Sequence, residues 1–299
     1  MRRDTRLRLL IATILSAAMV LVGACSPSPP TSAEPVDSTA PPALGDPDAA
    51  DVAYGTFDSQ VLDIYRTTAP IRRGTIVFVH GGGWTSGDKD VVRLGALEAI
   101  ATQVGRGFDL VSLNYRLAPQ HPFPAALDDV ALAVDWVRTN GSVDHGLDSS
   151  RIVLAGHSAG GSLAAMVGTS PGAPTEFGTV PRVDGWVSFN GMSAYDAGGM
   201  IDDFPRNWGL STSAARISAS PITTLDPTDP PGHLVHGDRD GIVQPWHSVI
   251  FAAHAAAQGA TVTLDLVEEG STTCRSHFYA CGSDSEAGTD MEALNRFLG

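Results

Sequence analysis

Apolar, strand-like runs alternate with helical segments along most of this chain. The runs that we predict as strands are GTIVFVH (74–80), FDLVSLNY (108–115), RIVLAG (151–156), DGWVSFNG (184–191), GHLVHG (232–237) and ATVTLDLVEE (260–269). Helical periodicity is predicted at 90–105, 124–141, 158–168, 246–259 and 285–299. Continuous apolar strands with helices between them are typical of a parallel sheet buried on both faces. We therefore predict an α/β fold with a mostly parallel central sheet, helices on both faces, and reactive groups at the carboxyl ends of the strands.

Two stretches depart from this alternation. AYGTFDSQVLDIYRTTAP (53–70) precedes the first predicted parallel strand, and we expect it to add one or two antiparallel edge strands. Residues 192–231 show little periodicity of either kind. They follow a predicted strand, at a place where a lid or a pocket wall could be inserted.

The N-terminus has the pattern of an export signal. Several arginines precede the apolar run LLIATILSAAMVLVGA (9–24), which is short for a membrane span and ends in small residues. The box LVGAC resembles a bacterial lipoprotein signal, which makes 1–24 a signal peptide and Cys25 the lipidated residue. The alternative is a plain secretory signal with an unmodified Cys25. The lipoprotein interpretation places the protein outside the cytoplasm, anchored to the bacterial cell membrane or envelope.

A proline-rich segment follows the signal. Residues 26–50 contain seven prolines and almost no large apolar side chains, so they lack the material for a packed core. We expect 25–50 to form a stalk and 51–299 to form the catalytic domain.

Charge and cysteine content limit the possible partners. The formal charge is −14 at pH 7, and a nucleic-acid partner is not expected because phosphate binding requires a basic face. With Cys25 lipidated, Cys274 and Cys281 remain for one disulfide in an oxidising compartment. Such a bond would hold the loop around residue 277. No C-x-x-C pair or H-E-x-x-H run occurs, so a metal site has no support in the sequence.

The junction IVLAGHSAGGSL (152–163) places Ser158 between a predicted strand and a predicted helix. The spacing Gly-x-Ser-x-Gly is weak evidence alone, but the strand-turn-helix context strengthens it. Gly156 and Gly160 leave room in a sharp turn, and the helix N-terminus directs its N–H groups at the same place. We interpret Ser158 as a nucleophile, which needs a base and an orienting acid.

Histidines after Ser158 are the candidates for its base, among nine in the chain. His277 stands between the last predicted strand and the C-terminal helix. His247 and His254 lie seven residues apart on a predicted helix, where histidines are more often packing or solvent-facing residues. We place the base at His277 and expect His157, beside the serine, to point elsewhere.

The acid is expected between the serine and the base in chain order. HGDRDGIVQP (236–245) places Asp238 and Asp240 at the carboxyl end of a predicted strand. An aspartate in a turn often caps its own backbone. We favour Asp240 as the acid and Asp238 as the turn former, with the reverse as the alternative.

The segment VHGGGW (79–84) also follows an apolar strand. Consecutive glycines cost conformational entropy, and a loop whose amides approach a developing oxyanion gives a reason for them. A flexible connector is the alternative, but a connector needs neither the preceding His nor the following Trp. We assign the amides of Gly82, Gly83 and Ala159 to an oxyanion hole.

Taken together, HGGGW (80–84), NYRLAP (114–119), FPAALDD (123–129), GHSAGG (156–161) and HGDRD (236–240) resemble the motifs of the hormone-sensitive-lipase-like carboxylesterases. Their order and spacing match from about residue 60 to 280. The resemblance implies an α/β-hydrolase fold and a Ser158–Asp240–His277 triad, and it strengthens the choice of Asp240. It also implies no cofactor and hydrolysis of short- to medium-chain esters.

Two departures from that family bear on the substrate. Many members carry Asp where His157 stands, and GHSAGG is closer to small carboxylesterases and to sugar- or arylformamide-directed hydrolases. A proline-rich stalk also occupies the place of a long helical cap, which implies an open site.

We therefore expect a serine esterase acting on a small-molecule or glycan ester. The alternatives are a polysaccharide deacetylase, an arylformamide-type amidohydrolase and, least expected, a binding protein without turnover. Trp84 is expected to wall the acyl pocket, with Met192 and Tyr195 as further candidates. Arg116 and Asp128 are interpreted as a buried structural pair. The sequence makes no prediction about oligomeric state.

Overall fold

An eight-stranded sheet forms the centre of the protein. The computed structural model describes residues 44–93, 98–198, 203–267, 277 and 294–299, which all belong to one compact unit, Ala40–Gly299. The strands are β1 Ala49–Ala53, β2 Val61–Tyr65, β3 Gly74–Val79, β4 Phe108–Leu113, β5 Ile152–His157, β6 Pro174–Thr175, β7 Gly178–Thr179, β8 Gly185–Phe189, β9 Gly232–Gly237 and β10 Val262–Val267. Strands β6 and β7 form a separate two-stranded hairpin.

The strand order in the large sheet is β1-β2-β4-β3-β5-β8-β9-β10. Within this order, neighbouring strands run parallel from β4 through β3, β5, β8 and β9 to β10. Strands β1 and β2 pair antiparallel and join the sheet through an antiparallel contact with β4. The predicted mostly parallel sheet with antiparallel edge strands is confirmed.

Helices connect the strands and cover the sheet. A 3-10 turn spans Lys89–Arg93, and the α-helices are α1 Glu98–Ala101, α2 Ala125–Trp136, α3 Ser142–His145, α4 Ala159–Gly168, α5 Phe204–Asn207, α6 Ser213–Ala219, α7 Pro221–Thr224, α8 Trp246–Gln258 and a C-terminal turn at 294–298. Within the described ranges, no helix has both the length and the apolar character that a bilayer-spanning segment requires.

Two apolar clusters lie on opposite faces of the sheet. Because strand side chains alternate, Val77 and Val79 of β3 join one cluster, while Ile76 and Phe78 join the other. Helices α2 and α4 contribute side chains to the first cluster, and α1 and the C-terminal turn contribute to the second. The predicted helices on both faces are therefore present.

The helix predicted at 124–141 ends later than the sequence indicated. The predicted helix ends at the dipeptide Asn140-Gly141, but Gly141 has helical backbone angles, φ −57° and ψ −40°. The chain continues through a π-helical turn, Val137–Gly141, into α3. It stops at Gly146, which has φ +65° and can adopt this left-handed conformation without a side-chain clash. Which glycine would take that conformation could not be predicted from the dipeptide.

The folded part begins before residue 51, where the boundary was predicted. Strand β1 starts at Ala49, and Asp48 accepts a hydrogen bond from the Arg66 amide at 2.6 Å. Leu44 packs against the second apolar cluster. Composition could not predict this edge strand, because backbone pairing rather than large apolar side chains holds it.

Candidate active site

Ser158 lies at the turn between β5 and α4. Its backbone angles, φ +54° and ψ −119°, are unusual for a residue with a side chain. The turn is held in place because the Ser158 amide donates to the Phe189 carbonyl at 2.8 Å. A Cβ at Gly160 would lie 2.1 Å from the Val79 carbonyl oxygen, and one at Gly156 would lie 2.3 Å from the Gly160 carbonyl oxygen. Only glycine fits at both flanking positions.

Ser158, His277 and Asp240 form one hydrogen-bonded series. The Ser158 hydroxyl donates to Nε2 of His277 at 2.7 Å, and Nδ1 of His277 donates to Oδ2 of Asp240 at 2.7 Å. All three residues are at least 94% buried, with exposures of 6%, 4% and 2%. Oδ1 of Asp240 accepts from the amides of Ile242 and Val243, at 2.8 and 2.9 Å. These amides fix the carboxylate in position for the imidazole.

The environment of Asp240 keeps its carboxyl group ionised. Burial alone would raise the pKa of this group, but hydrogen bonds from His236 and His277 and from the Val243 amide lower it well below its usual value. Nε2 of His236 lies 3.4 Å from Oδ2. An ionised carboxylate favours the imidazole tautomer with hydrogen on Nδ1, which leaves Nε2 free to accept the serine proton.

The glycine loop after β3 borders the same site. Gly82 and Gly83 have φ values of +114° and +60°, and a Cβ at Gly82 would lie 2.1 Å from the Ser86 carbonyl oxygen. The Gly82 carbonyl accepts from the Thr85 and Ser86 amides, each at 3.1 Å. Among the described residues, no group accepts a hydrogen bond from the amides of Gly82, Gly83 or Ala159. These amides are thus available to an oxyanion.

A cavity of about 450 Å³ opens beside Ser158 and His277. Gly82 and Gly83 also line it, and most of its wall is apolar. The apolar side chains in the wall are Val91, Phe204 and Ile242, and the polar side chains include Thr85, Ser86 and Asp88. The arrangement suits a small, mainly apolar group bound next to the serine hydroxyl. Within the described ranges, no group of three or more His, Cys, Asp or Glu side chains is arranged to hold a metal ion.

Comparisons with known proteins find similarity to esterases. The BD-FAE family profile matches residues 62–193. Esterase LipC of Mycobacterium tuberculosis is 28% identical over 271 residues, which make up 83% of this chain and 64% of LipC. The chain covers between 28% and 64% of the length of the first curated relatives that it matches.

Solved structures of other proteins superpose on most of the chain. A truncated carbohydrate esterase from gut microbiota superposes with a TM-score of 0.69 at 21% identity, over 84% of this chain and 95% of that one. A butyrate-bound esterase from the Planctomycetes species Thermogutta terrifontis superposes with a TM-score of 0.66 at 25% identity, over 86% and 95%. The chain has an α/β-hydrolase fold.

The histidine of the glycine loop, His80, has a structural role. His80 stacks on Tyr115 with ring centroids 4.3 Å apart, and its Nδ1 donates to the Gly81 carbonyl at 2.7 Å. Burial lowers the pKa of His80 to about 4, although the Gly81 carbonyl favours the charged form. The neutral ring therefore supports the turn that carries Gly82 and Gly83.

The predicted acyl-pocket residues lie elsewhere in the protein core. Trp84, Met192 and Tyr195 are almost fully buried and are absent from the cavity lining. Trp84 stacks flat on Trp208 at 4.2 Å, with Tyr195 edge-on at 5.7 Å. These packing contacts occupy the ring faces, so the prediction that Trp84 walls the pocket is wrong for this structure.

The residues that do form the apolar wall carried little signal in the sequence. Phe204 belongs to the 192–231 stretch without periodicity, where α5, α6 and α7 are short. Ile242 follows Asp240 by two residues, and its amide already binds that carboxylate. A search of the loop after the acid would have found Ile242, but nothing in the sequence pointed to Phe204.

Arg116 pairs with a different aspartate from the one predicted. It contacts Asp129 at 2.7 Å and Glu176 at 2.8 Å. Asp129 also accepts from Gln60 at 2.6 Å. Asp128 precedes Asp129 on α2, and adjacent residues on a helix point about 100° apart, so only one of them can face Arg116. The structural role of Arg116 stands, but the predicted partner, Asp128, was wrong.

The two aspartates of HGDRD, Asp238 and Asp240, make different contacts. Asp240 carries the contacts to His277, while the Asp238 amide donates to the Val267 carbonyl at 3.1 Å and so belongs to the β9–β10 edge. The remaining predicted sites, Cys25, Cys274 and Cys281, lie outside the described residues, as do the predicted signal peptide and most of the stalk.

Proposed function

We propose that this chain is a serine esterase that hydrolyses carboxylic esters with short- to medium-length acyl groups. The observation that carries the proposal is the continuous hydrogen-bonded series from Ser158 through His277 to Asp240, with both contacts at 2.7 Å. The series has the chemical order of a nucleophile, a base and an orienting acid. Its serine end borders a cavity in which an ester can be bound.

In the proposed acylation step, Ser158 Oγ attacks the ester carbonyl carbon while Nε2 of His277 takes the hydroxyl proton. Negative charge moves to the former carbonyl oxygen, where the amides of Gly82, Gly83 and Ala159 stabilise it. The intermediate collapses when the bond to the alcohol oxygen breaks. The imidazolium then gives its proton to that oxygen, and an acyl-Ser158 ester remains.

In deacylation, a water molecule attacks the acyl carbon and loses a proton to His277. The bond to Ser158 Oγ then breaks, and the imidazolium returns the proton to Oγ. One water is consumed, and one carboxylic acid and one alcohol are released for each ester. Asp240 stays ionised throughout, where it orients His277 and stabilises the imidazolium.

The size and lining of the cavity support small acyl groups. A volume of about 450 Å³ includes room for the alcohol as well as the acyl chain. The apolar wall of Val91, Phe204 and Ile242 favours a short hydrocarbon chain. The names of the relatives support ester hydrolysis, and the T. terrifontis esterase was solved with butyrate bound.

A second candidate function is removal of acetyl groups from a carbohydrate by the same three residues. The supporting observation is the polar side of the cavity, where Thr85, Ser86 and Asp88 offer hydroxyl and carboxylate groups to sugar hydroxyls. One structurally similar protein is named a carbohydrate esterase. Arylformamide cleavage and binding without turnover remain alternatives that the same experiment separates.

Hydrolysis of p-nitrophenyl esters from acetyl to palmitoyl tests the proposed function. We expect kcat/KM to be highest between acetyl and butyryl and to fall steeply by palmitoyl, because a long chain exceeds the cavity. Acetylated xylo-oligosaccharides and an N-formyl arylamine are measured beside the esters. Turnover confined to the carbohydrate or the formamide would replace the first proposal, and a folded chain inactive on every substrate would support a binding role.

We further propose that the chain is a lipoprotein attached through Cys25 to the bacterial cell membrane or envelope, outside the cytoplasm. The support is the arginine-rich start, the apolar run and the LVGAC box. Cells given radioactive palmitate are expected to label the wild-type chain but not the Cys25→Ala variant. Equal labelling of both chains, or of neither when both are exported, would contradict lipidation at Cys25.

A further inference from the structure

The carbonyl oxygen of His277 is held by two side chains from neighbouring strands. Nε2 of His157, at the end of β5, lies 2.5 Å from this oxygen. Nδ2 of Asn190, just after β8, lies 3.3 Å from it. Both contacts reach the main chain of the proposed base, whereas its ring nitrogens bind Asp240 and Ser158.

The chemistry of the acceptor determines the state of His157. A carbonyl oxygen can only accept, so Nε2 of His157 carries the hydrogen. Desolvation lowers the pKa of His157 to about 4, and the nearby His277 ring lowers it further in the same direction. At neutral pH the ring is therefore uncharged and donates through Nε2. Its centroid lies 5.1 Å from that of His277.

The orientation of Asn190 is also determined by its contacts. Its Oδ1 accepts from the Gly237 amide at 3.0 Å, which leaves Nδ2 as the group that donates to His277. The backbone amide of Asn190 donates to the Val235 carbonyl at 2.9 Å. Gly237 precedes Asp240 by three residues, so Asn190 connects the loop of the acid to the main chain of the base.

We propose that His157 and Asn190 are positioning residues that clamp the His277 carbonyl and so hold the imidazole between Ser158 and Asp240. The inference rests on the proposed function, because it assigns the clamp a role in ester hydrolysis. It goes beyond that function by giving His157 and Asn190, which touch neither Ser158 Oγ nor Asp240, an effect on turnover. Displacement of a reacting group by about 1 Å costs on the order of 10²-fold in rate.

The clamp depends on hydrogen donation rather than on the size of residue 157. His157→Gln keeps a side-chain N–H group that can reach the carbonyl, whereas His157→Ala removes the donor. Asn190→Asp is the matched change on the other side, because it keeps the acceptor for Gly237, loses the donor and tolerates φ +52°.

Kinetics of these three variants on p-nitrophenyl acetate test the clamp. We expect His157→Ala and Asn190→Asp to lose about 10- to 100-fold in kcat with little change in KM, and His157→Gln to retain most of the wild-type kcat. A His157→Ala kcat within twofold of wild type would overturn the proposal. An equal loss in His157→Gln and His157→Ala, with unchanged Tm, would also overturn it, since donation would then be irrelevant.

A second readout separates this inference from the proposed function. The hydrogen between Nδ1 of His277 and Asp240 is expected to give a far-downfield N–H proton resonance in the wild type and His157→Gln. In His157→Ala and Asn190→Asp we expect it to broaden or vanish. This test holds even if the wild type hydrolyses no ester, an outcome that would defeat only the proposed function. If either His157→Ala or Asn190→Asp does not fold, the other variant tests the proposal.

Discussion

Replacing Ser158 with alanine should lower kcat for ester hydrolysis by on the order of 10⁵- to 10⁶-fold. The substitution removes only the Oγ atom that donates to His277 at 2.7 Å, and it leaves the proposed oxyanion amides in place. Substrate binding should therefore change little, and the loss should fall on kcat. Initial rates on p-nitrophenyl acetate at saturating substrate measure the effect.

The control for Ser158→Ala is Ser162→Ala, on the same helix. Ser162 is fully buried, and its hydroxyl accepts from the Met192 backbone amide at 2.9 Å and donates to the Ser158 carbonyl at 3.2 Å. Both bonds are to main-chain groups. We expect this variant to lose some stability and to retain kcat within a few-fold. Residual turnover in Ser158→Ala above about 1% of wild type would mean that another group is the nucleophile.

Replacing Asp240 with asparagine should lower kcat by on the order of 10⁴-fold at neutral pH. An asparagine can still accept from the Ile242 and Val243 amides, so the loop is preserved. It carries no charge, however, and it no longer enforces the tautomer with hydrogen on Nδ1 of His277. Steady-state kinetics give the loss, and Asp238→Asn, which alters the neighbouring aspartate at the β9–β10 edge, should remain near wild-type activity.

The same variant should change how stability depends on pH. The pKa of the Asp240 carboxyl is lowered in the folded chain, so its ionised form stabilises the fold above the unfolded-state pKa of about 3.9. This contribution is lost as the pH falls through the folded-state value. The Tm difference between wild type and Asp240→Asn should therefore shrink from pH 7 to pH 3. A difference that grows on acidification would contradict the direction of the pKa shift.

The sheet could be predicted because the composition of each central strand indicates a buried strand. Strands β3, β4, β5 and β9 are buried at nearly every position, so they appear as continuous apolar runs with glycine or polar residues at their ends. Strand β1 was missed because most of its residues are exposed, so it shows no continuous apolar run. The end of the helix at Gly146 could not be predicted, because the sequence does not show whether Gly141 or Gly146 adopts the left-handed conformation.

The polar site was more predictable than its apolar wall. Ser158, Asp240 and His277 each follow a predicted strand, and chain order limited the choices. The packing direction of Trp84 could not be inferred, because an indole after a glycine loop can face either a cavity or a core. Its stacking partner, Trp208, comes from a stretch without periodicity.

The role of His157 was missed for a different reason. The sequence shows a histidine beside the serine, and the prediction that it points away from the serine agrees with its hydrogen bond to another residue. Its acceptor, however, is a main-chain carbonyl 120 residues later. Main-chain acceptors have no residue type, so no motif could have identified this one.

Covalent labelling with a fluorophosphonate tests the central claim most directly. The account predicts one phosphonyl group per wild-type chain, located by peptide mass spectrometry on Ser158 and absent from Ser158→Ala. Labelling should be strongly slowed in Asp240→Asn, because reaction requires the base that Asp240 orients. A folded wild-type chain that takes no label, or an adduct on a residue other than Ser158, would contradict the assignment of the nucleophile.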